Sequence, residues 1–196
     1  MERIKSAFEK AMEKVAEIGE LTPEEKEKIK DEGKLKTLLA EFYRGRLSSE
    51  GLWEKLKGDK AYLLKEAQQN LADSLRLESI PEEFRLRKDG ILAIETLKER
   101  QNTSAIEQSL KSIELLQREY REGKERIAEE LREEIERNPH LRLRPVRTPD
   151  GKTVVQATLS VDEAVQAKLA DFLLEHEKRY SARFNKMIEK LKKDLR

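Results

Sequence analysis

NPHLRLRPVRTPDGKTVVQATLS, residues 138–160, is the stretch on which the fold turns. Asn138-Pro139 ends whatever helix precedes it, because proline has no N–H to donate and its ring clashes with the preceding turn. Leu141-Arg142-Leu143-Arg144 then alternates apolar and polar residues, and Thr153-Val154-Val155 is β-branched, a residue type that suits a pleated surface. Between them, Thr148-Pro149-Asp150-Gly151 is a turn: proline presets φ and glycine tolerates positive φ. Ser160 is a helix N-cap, with Asp162 and Glu163 in the first turn where the helix dipole favours them. The stretch therefore predicts one β-hairpin, about residues 141–159, set between two helices, with Pro145 at an edge position.

Both flanking helices are long. Upstream, Ile106, Leu110, Ile113, Leu116, Tyr120, Gly123, Ile127, Leu131 and Ile135 recur at steps of three and four, the heptad signature. Ser104-Ala105-Ile106-Glu107 fits a capping box at the start of that run. Downstream, the seam is Val165, Leu169, Phe172, His176, Tyr180, Phe184, Met187, Leu191 and Leu195. The helices, about 104–137 and 161–196, would each be about 50 Å long. A short hairpin between them forces an antiparallel return, so they should pair as a coiled-coil arm.

Shorter helices fill the first half. Ile4, Phe8, Ala11, Met12, Val15 and Ile18 form one stripe over residues 2–18, with Gly19 as a stop. Thr22-Pro23-Glu24-Glu25 is a helix start, and the polar segment after it should break at Gly33. Residues 34–57 read as a helical hairpin: Leu35, Leu38, Leu39 and Phe42 on one face, a stop at Gly45, a cap at Ser48 or Ser49, then Leu52, Trp53 and Leu56. The run Leu35-x-x-Leu38 to Gly45-x-Leu47-Ser48-x-Glu50 resembles the short helical hairpins of the SHOCT type, which implies an accessory element without catalytic residues. A further helix is expected from Gly58-Asp59 to about residue 79, with Tyr62, Leu63, Ala67, Leu71 and Leu75 as its stripe. Pro81 should open another, through Phe84, Ile91, Leu92, Ile94 and Leu97 to about residue 101, weakened at Gly90. The fold class that follows is mainly α: a helical N-terminal region, residues 1–101, and a helical bundle with a long antiparallel coiled-coil pair connected by one β-hairpin, residues 102–196.

Composition agrees with long solvent-washed helices. Apolar residues are 37% and charged residues 41% of 196, yet 41 Lys and Arg balance 40 Asp and Glu. Disorder of the charged kind needs net charge, which is only +1 here. No run of apolar residues reaches membrane-spanning length, and the N-terminus begins in charged amphipathic sequence, so a cytoplasmic chain without membrane contact is expected.

The residues that chemistry requires are sparse. With no cysteine, thiolate catalysis, disulfides and Cys-ligated metals drop out. There is no GxxxxGK[ST], GxGxxG or GxSxG, and the two histidines, His140 and His176, form no HExxH or ExxH. No catalytic residue, metal site or cofactor is therefore expected, and the chain reads as a non-enzyme. His176 at a seam position is best read as a polar residue that sets register, His140 as a turn residue, and Trp53 as a core anchor. Asn102-Thr103-Ser104 matches a glycosylation acceptor but reads as a helix-boundary loop.

Charge is unevenly spread. Residues 114–136 carry nine acids and five bases, residues 161–177 five acids and one base, and residues 178–196 eight bases and two acids. Arg137, Arg142, Arg144, Arg147 and Lys152 face only Asp150 over residues 137–152, giving the hairpin a basic tip. Arg142, Arg144, Arg147 and Lys152 are the candidate partner-binding residues. The function expected is a self-associating helical scaffold or adaptor, a protein–protein interaction module that docks a protein partner, or a second copy of itself, at that tip. A nucleic-acid-associated protein using the same arginines is the alternative, less favoured at a pI of about 7.8 and without aromatic stacking residues beside them. A regulatory or chaperone-like role is a further alternative.

Overall fold

The computed structural model describes residues 22–147, 149–151, 153–157 and 159–196. The helix expected over 2–18 and its stop at Gly19 lie outside these. Six α-helices, one 3-10 turn and one two-stranded antiparallel sheet make up the described elements, so the protein is mainly α. The chain divides into two compact units, one ending at Leu47 and one comprising Ser48–Arg196.

In the first unit, α1 (Pro23–Tyr43) starts where Thr22-Pro23-Glu24-Glu25 places it. Thr22 and Glu25 form a capping box: the Glu25 N–H donates to the Thr22 hydroxyl (3.2 Å) and the Thr22 N–H donates to the Glu25 carboxylate (2.8 Å). The Thr22 N–H, and after it the Thr22 hydroxyl (3.0 Å), donate to the Glu25 carboxylate and hold it below its ordinary range. The expected break at Gly33 does not occur. Glycine inside a helix costs only about 1 kcal/mol, and here both helix ends are firmly closed. At the C-terminus Gly45 takes φ +68°. Its N–H donates to Phe42 O (2.9 Å) and the Arg46 N–H to Glu41 O (3.1 Å), a Schellman motif. The run that resembles a SHOCT hairpin crosses from this unit into the next.

The second unit begins with α2 (Ser49–Leu56), capped by the Ser48 hydroxyl, which accepts from the Gly51 N–H at 3.1 Å. α3 (Ala61–Asp73) and α4 (Pro81–Glu95) follow. α3 stops six residues short of the expected end. The Ser74 hydroxyl donates to Leu71 O (2.7 Å), closing the last turn, and the segment after it becomes a loop whose backbone groups α5 satisfies. Gln117 donates to Arg76 O at 2.6 Å, and Arg121 to Ser79 O at 3.2 Å. A buried loop needs such partners, and residue periodicity carries no trace of them. α4 ends at Glu95 rather than near 101, where the Thr96 hydroxyl donates to Ala93 O (2.7 Å) and accepts from the Trp53 indole N–H (3.0 Å). Trp53 thus anchors α2 to α4.

The arm is α5 (Thr103–Arg137, 35 residues) and α6 (Val161–Asp194, 34 residues), packed antiparallel along their length. α5 contacts α4, and α6 contacts α3, so the shorter helices surround the foot of the arm. There the core is mostly apolar: Leu52, Ala67, Leu71, Ile91, Ile94, Ile106, Leu110, Ile113 and Leu191 are fully buried. Ser160 is the N-cap of α6 as expected, and Glu163 completes a capping box with it. The box expected at Ser104 is absent: Asn102 is the N-cap of α5, without a side-chain cap bond. A tertiary contact takes its place. The Asn102 N–H donates to Glu95 Oε1 (2.6 Å), and the Asn102 amide donates to Asp194 O (3.1 Å).

Glu95 is 1% exposed, and its carboxylate ties four elements together. Gln68 of α3 donates to its Oε2 (2.9 Å), Lys98 pairs with the same oxygen (3.0 Å), and the Lys98 ammonium also donates to Leu195 O (2.9 Å). Breaking a buried ion pair by removing one partner leaves the other charge uncompensated. Glu95→Ala should therefore cost about 3 kcal/mol in urea unfolding, and Glu95→Gln less, since an amide oxygen can still accept from Asn102. An unchanged midpoint for Glu95→Ala would show that the cluster is not a stabilising centre.

Candidate functional site

The hairpin sits at the far end of the arm. β1 (Leu143–Arg147) and β2 (Thr153–Ala157) pair antiparallel in the register Leu143 to Ala157, Pro145 to Val155 and Arg147 to Thr153. Gly151 in the connecting turn has φ +82°, the backbone conformation that glycine was expected to supply. Before β1, Pro139–Arg142 forms a single 3-10 turn with His140 exposed. The root of the hairpin has a small core of its own, Ile135, Ala164 and Val165, with Leu141, Leu159 and Val161 packed against it.

The four tip cations separate on inspection. Arg142 is half-buried and its Nε–H donates to Leu159 O (2.8 Å), so it ties the two ends of the hairpin together. Arg144 is exposed, and its charge helps hold the Glu163 carboxyl below its ordinary range, after the larger effect of the bonds from Ser160. Arg147 ends β1 opposite Thr153. Lys152 lies outside the described residues. Among the described side chains of the strands, Val154 and Val155 are exposed apolar surface, at 42% and 66%. Both strands are sheet edges among the described residues, with backbone donors and acceptors open to a further strand.

A second constellation, legible in sequence only as a seam histidine, lies where the arm leaves the shorter helices. The His176 ring stacks on Tyr120 (centroids 5.4 Å apart, 22° between planes) and packs tilted against Tyr180 (4.5 Å, 38°). It fills the space over Gly123, where an added Cβ would stand 2.8 Å from the His176 ring. His176 Nε2 is buried without a hydrogen-bond partner. On the other side, the Tyr120 hydroxyl donates to Glu78 Oε1 (3.0 Å), which also pairs with Lys124. Those two donors hold the Glu78 carboxyl below its usual range, Lys124 contributing most. Burial, and then the bond to Glu78, push the Tyr120 phenol well above its ordinary value. The cluster is a knob in a hole: Gly123 is the hole and His176 the knob, fixing the register of α5 against α6.

The foot of the arm carries a cleft of about 840 Å³ between α3, the α4–α5 turn and the end of α6. Its walls have mixed charge, with Lys65, Lys98, Arg100 and Lys193 beside Asp59 and Glu99. Among the described residues, no group of three or more His, Asp or Glu side chains is placed to hold a metal ion. No helix among them is long and apolar enough to cross a membrane.

The geometry defines an α-helical protein whose second unit carries a long two-helix arm with a sheet at its end. The chain belongs to the family of unknown function DUF6657, whose pattern matches residues 50–196, from α2 through the arm. No curated protein and no solved structure matches it.

Two outcomes are expected from the His176 cluster. Gly123→Ala gains about 1 kcal/mol of helix propensity but overpacks the ring, which costs about 1–3 kcal/mol. It should destabilise the wild type and stabilise a His176→Ala background, a sign reversal that a double-mutant cycle in urea measures. Equal effects in both backgrounds would show that Gly123 does not make room for the ring. Tyr120 has a raised pKa, so its contribution to stability is complete below about pH 10 and is lost as pH rises through and beyond that value. Unfolding free energy between pH 8 and 11 should accordingly fall more steeply for the wild type than for Tyr120→Phe.

Proposed function

We propose that the protein is a non-enzymatic helical scaffold, a self-associating interaction module that presents the hairpin to a protein partner. The observation that carries this reading is the hairpin itself. A two-stranded sheet is marginal alone in water, yet this one stands at the end of the arm with no further strand on either edge among the described residues and with Val155 exposed. Arg144, on the opposite face of the sheet from Val155 and on the face of the part-exposed Val154, supplies positive charge for an acidic partner. Strand addition to an open edge draws affinity from backbone bonds and selectivity from neighbouring side chains, which supports this reading.

Two measurements test the parts separately. Light scattering on the full chain should give a mass well above the 22.9 kDa of one copy; a strictly monomeric chain would overturn self-association. Affinity capture from the source cell extract should recover a partner with the wild type and lose it with Arg144→Glu combined with Val155→Ser, while thermal stability stays unchanged. Identical recovery by both would remove the tip as the docking surface. If the wild type instead binds DNA or RNA with strong salt dependence, the arginines serve a phosphate backbone.

A further inference from the structure

The outer face of α6 changes character along its length. Phe172, expected in the seam, is 58% exposed and Leu174 is 72% exposed, but after them no large apolar side chain of α6 is exposed. A stripe of cations follows instead. Lys178, Arg179, Arg183, Lys186, Lys190 and Lys193 are all exposed. They fall within about 140° of the helix circumference and run for about 22 Å along it. The buried Phe184, Ile188 and Leu191 occupy the opposite side.

Ion pairing does not account for the stripe. Arg183 pairs with Glu119 (3.5 Å), and Lys192, off the stripe, pairs with Asp73 and Glu189. Among the described residues, no carboxylate pairs with Lys178, Arg179, Lys186, Lys190 or Lys193. Other helices set a cation four residues from an acid, as in Lys28 with Glu32 and Arg118 with Glu122. Here the four-residue steps from Arg179 to Arg183 and from Lys186 to Lys190 join like charges, which works against a helix. The helix dipole favours cations only in the last turn, where Lys192 and Lys193 stand. Lys178 to Lys190 gain nothing from it.

The lack of an apolar anchor selects the ligand. Protein interfaces are organised on buried aromatic or aliphatic anchors, and membrane-surface helices on an exposed apolar face. This stretch of α6 has already buried its apolar face in the arm. Single strands stack their bases on aromatic rings, but Phe184 is buried and Tyr180 lies between His176 and Arg183. Duplex RNA is recognised largely through its 2′-hydroxyls, for which the face between the cations holds one amide, Asn185. Duplex DNA asks only for charge: it carries one phosphate per about 1.7 Å of axis, and cations bind it by releasing counterions. The chain's neutral total does not oppose the contact, since at 0.1 M salt charges beyond about 10 Å are largely screened. We infer that the outer face of α6, from Lys178 to Lys193, binds the phosphate backbone of duplex DNA. Phosphate contacts carry no sequence information, so the binding is without sequence preference. The site is separate from the hairpin and adds a second ligand to the scaffold proposed above.

Fluorescence anisotropy of the full chain with a labelled DNA duplex of about 20 base pairs, about three times the length of the stripe, tests this. The logarithm of the association constant should fall with the logarithm of salt concentration at a slope of about −4 to −5, near 0.9 for each of the five unpaired cations. Lys186→Gln, Lys190→Gln and Lys193→Gln combined should flatten that slope by about 2.7 and weaken binding a few hundredfold at about 0.1 M salt. Glutamine matches lysine in helix propensity, so the unfolding midpoint should not fall. Removing the same charge elsewhere on this unit, with Lys55→Gln, Arg85→Gln and Lys111→Gln, should cost less than about tenfold. No binding by the wild type at about 0.05 M salt overturns the inference, as does a stripe variant that binds like the wild type. An equal loss from the control variant overturns the location on α6. Tighter binding to single-stranded DNA, to duplex RNA or to vesicles of anionic lipid overturns duplex DNA as the ligand.

Discussion

A carboxylate out of reach of water must be surrounded by donors, and Glu95 meets that constraint with three groups, one of which carries the link on to a further helix. Gln68 comes from α3, Asn102 from the start of α5, and Lys98 from the turn between; Lys98 then reaches the end of α6 through Leu195 O. The consequence is positional. α4 must end at this carboxylate, α5 must begin beside it, and α6 must finish against it. Asp194, which accepts from Asn102 through its carbonyl and from the Ser109 hydroxyl through its carboxylate (2.7 Å), closes the same junction. One acceptor of Gln68 remains buried without a donor, a local cost carried by the rest of the cluster. Everything farther out along the arm inherits its register from this foot.

The second constraint is steric. The seam of the arm is mostly leucine and isoleucine, but at one level it holds an imidazole against a bare backbone. Tyr120 and Tyr180 confine that ring, and Gly123 receives it. A slip of one heptad would place the His176 ring against a residue with a side chain and leave Gly123 as a void. Polar contacts at the foot and shape at mid-height therefore specify the same alignment by different means.

The sequence made the arm legible because heptad spacing, Asn138-Pro139, the turn at Pro149-Asp150-Gly151 and the Ser160 cap are all local signals. It was less informative wherever a distant group decides the outcome. Thr103 rather than Ser104 opens α5 because Glu95, eight residues back, takes the Asn102 N–H. α3 ends at Asp73 because Gln117 and Arg121, over forty residues on, satisfy the loop that follows. Phe172 fits the seam by spacing and misses it by angle, since the inward direction drifts round α6 along its length. The tip is basic by residue type, but residue type does not reveal that Arg142 is spent on Leu159 O while Arg144 stays exposed. The partnership of His176 with Gly123 had a faint signal, an unexplained glycine at a heptad position.

The two cores of the arm also imply an order of opening. Ile135, Ala164 and Val165 form one cooperative patch near the hairpin, and the foot forms another, with half-buried side chains between them. Amide protons of α5 and α6 at mid-arm should therefore exchange with solvent before those at the foot, even though both lie within unbroken helices. A long helix looks uniform along its backbone, but its tolerance of fraying is set by what its side chains touch, and here the weakest stretch is neither end but the middle.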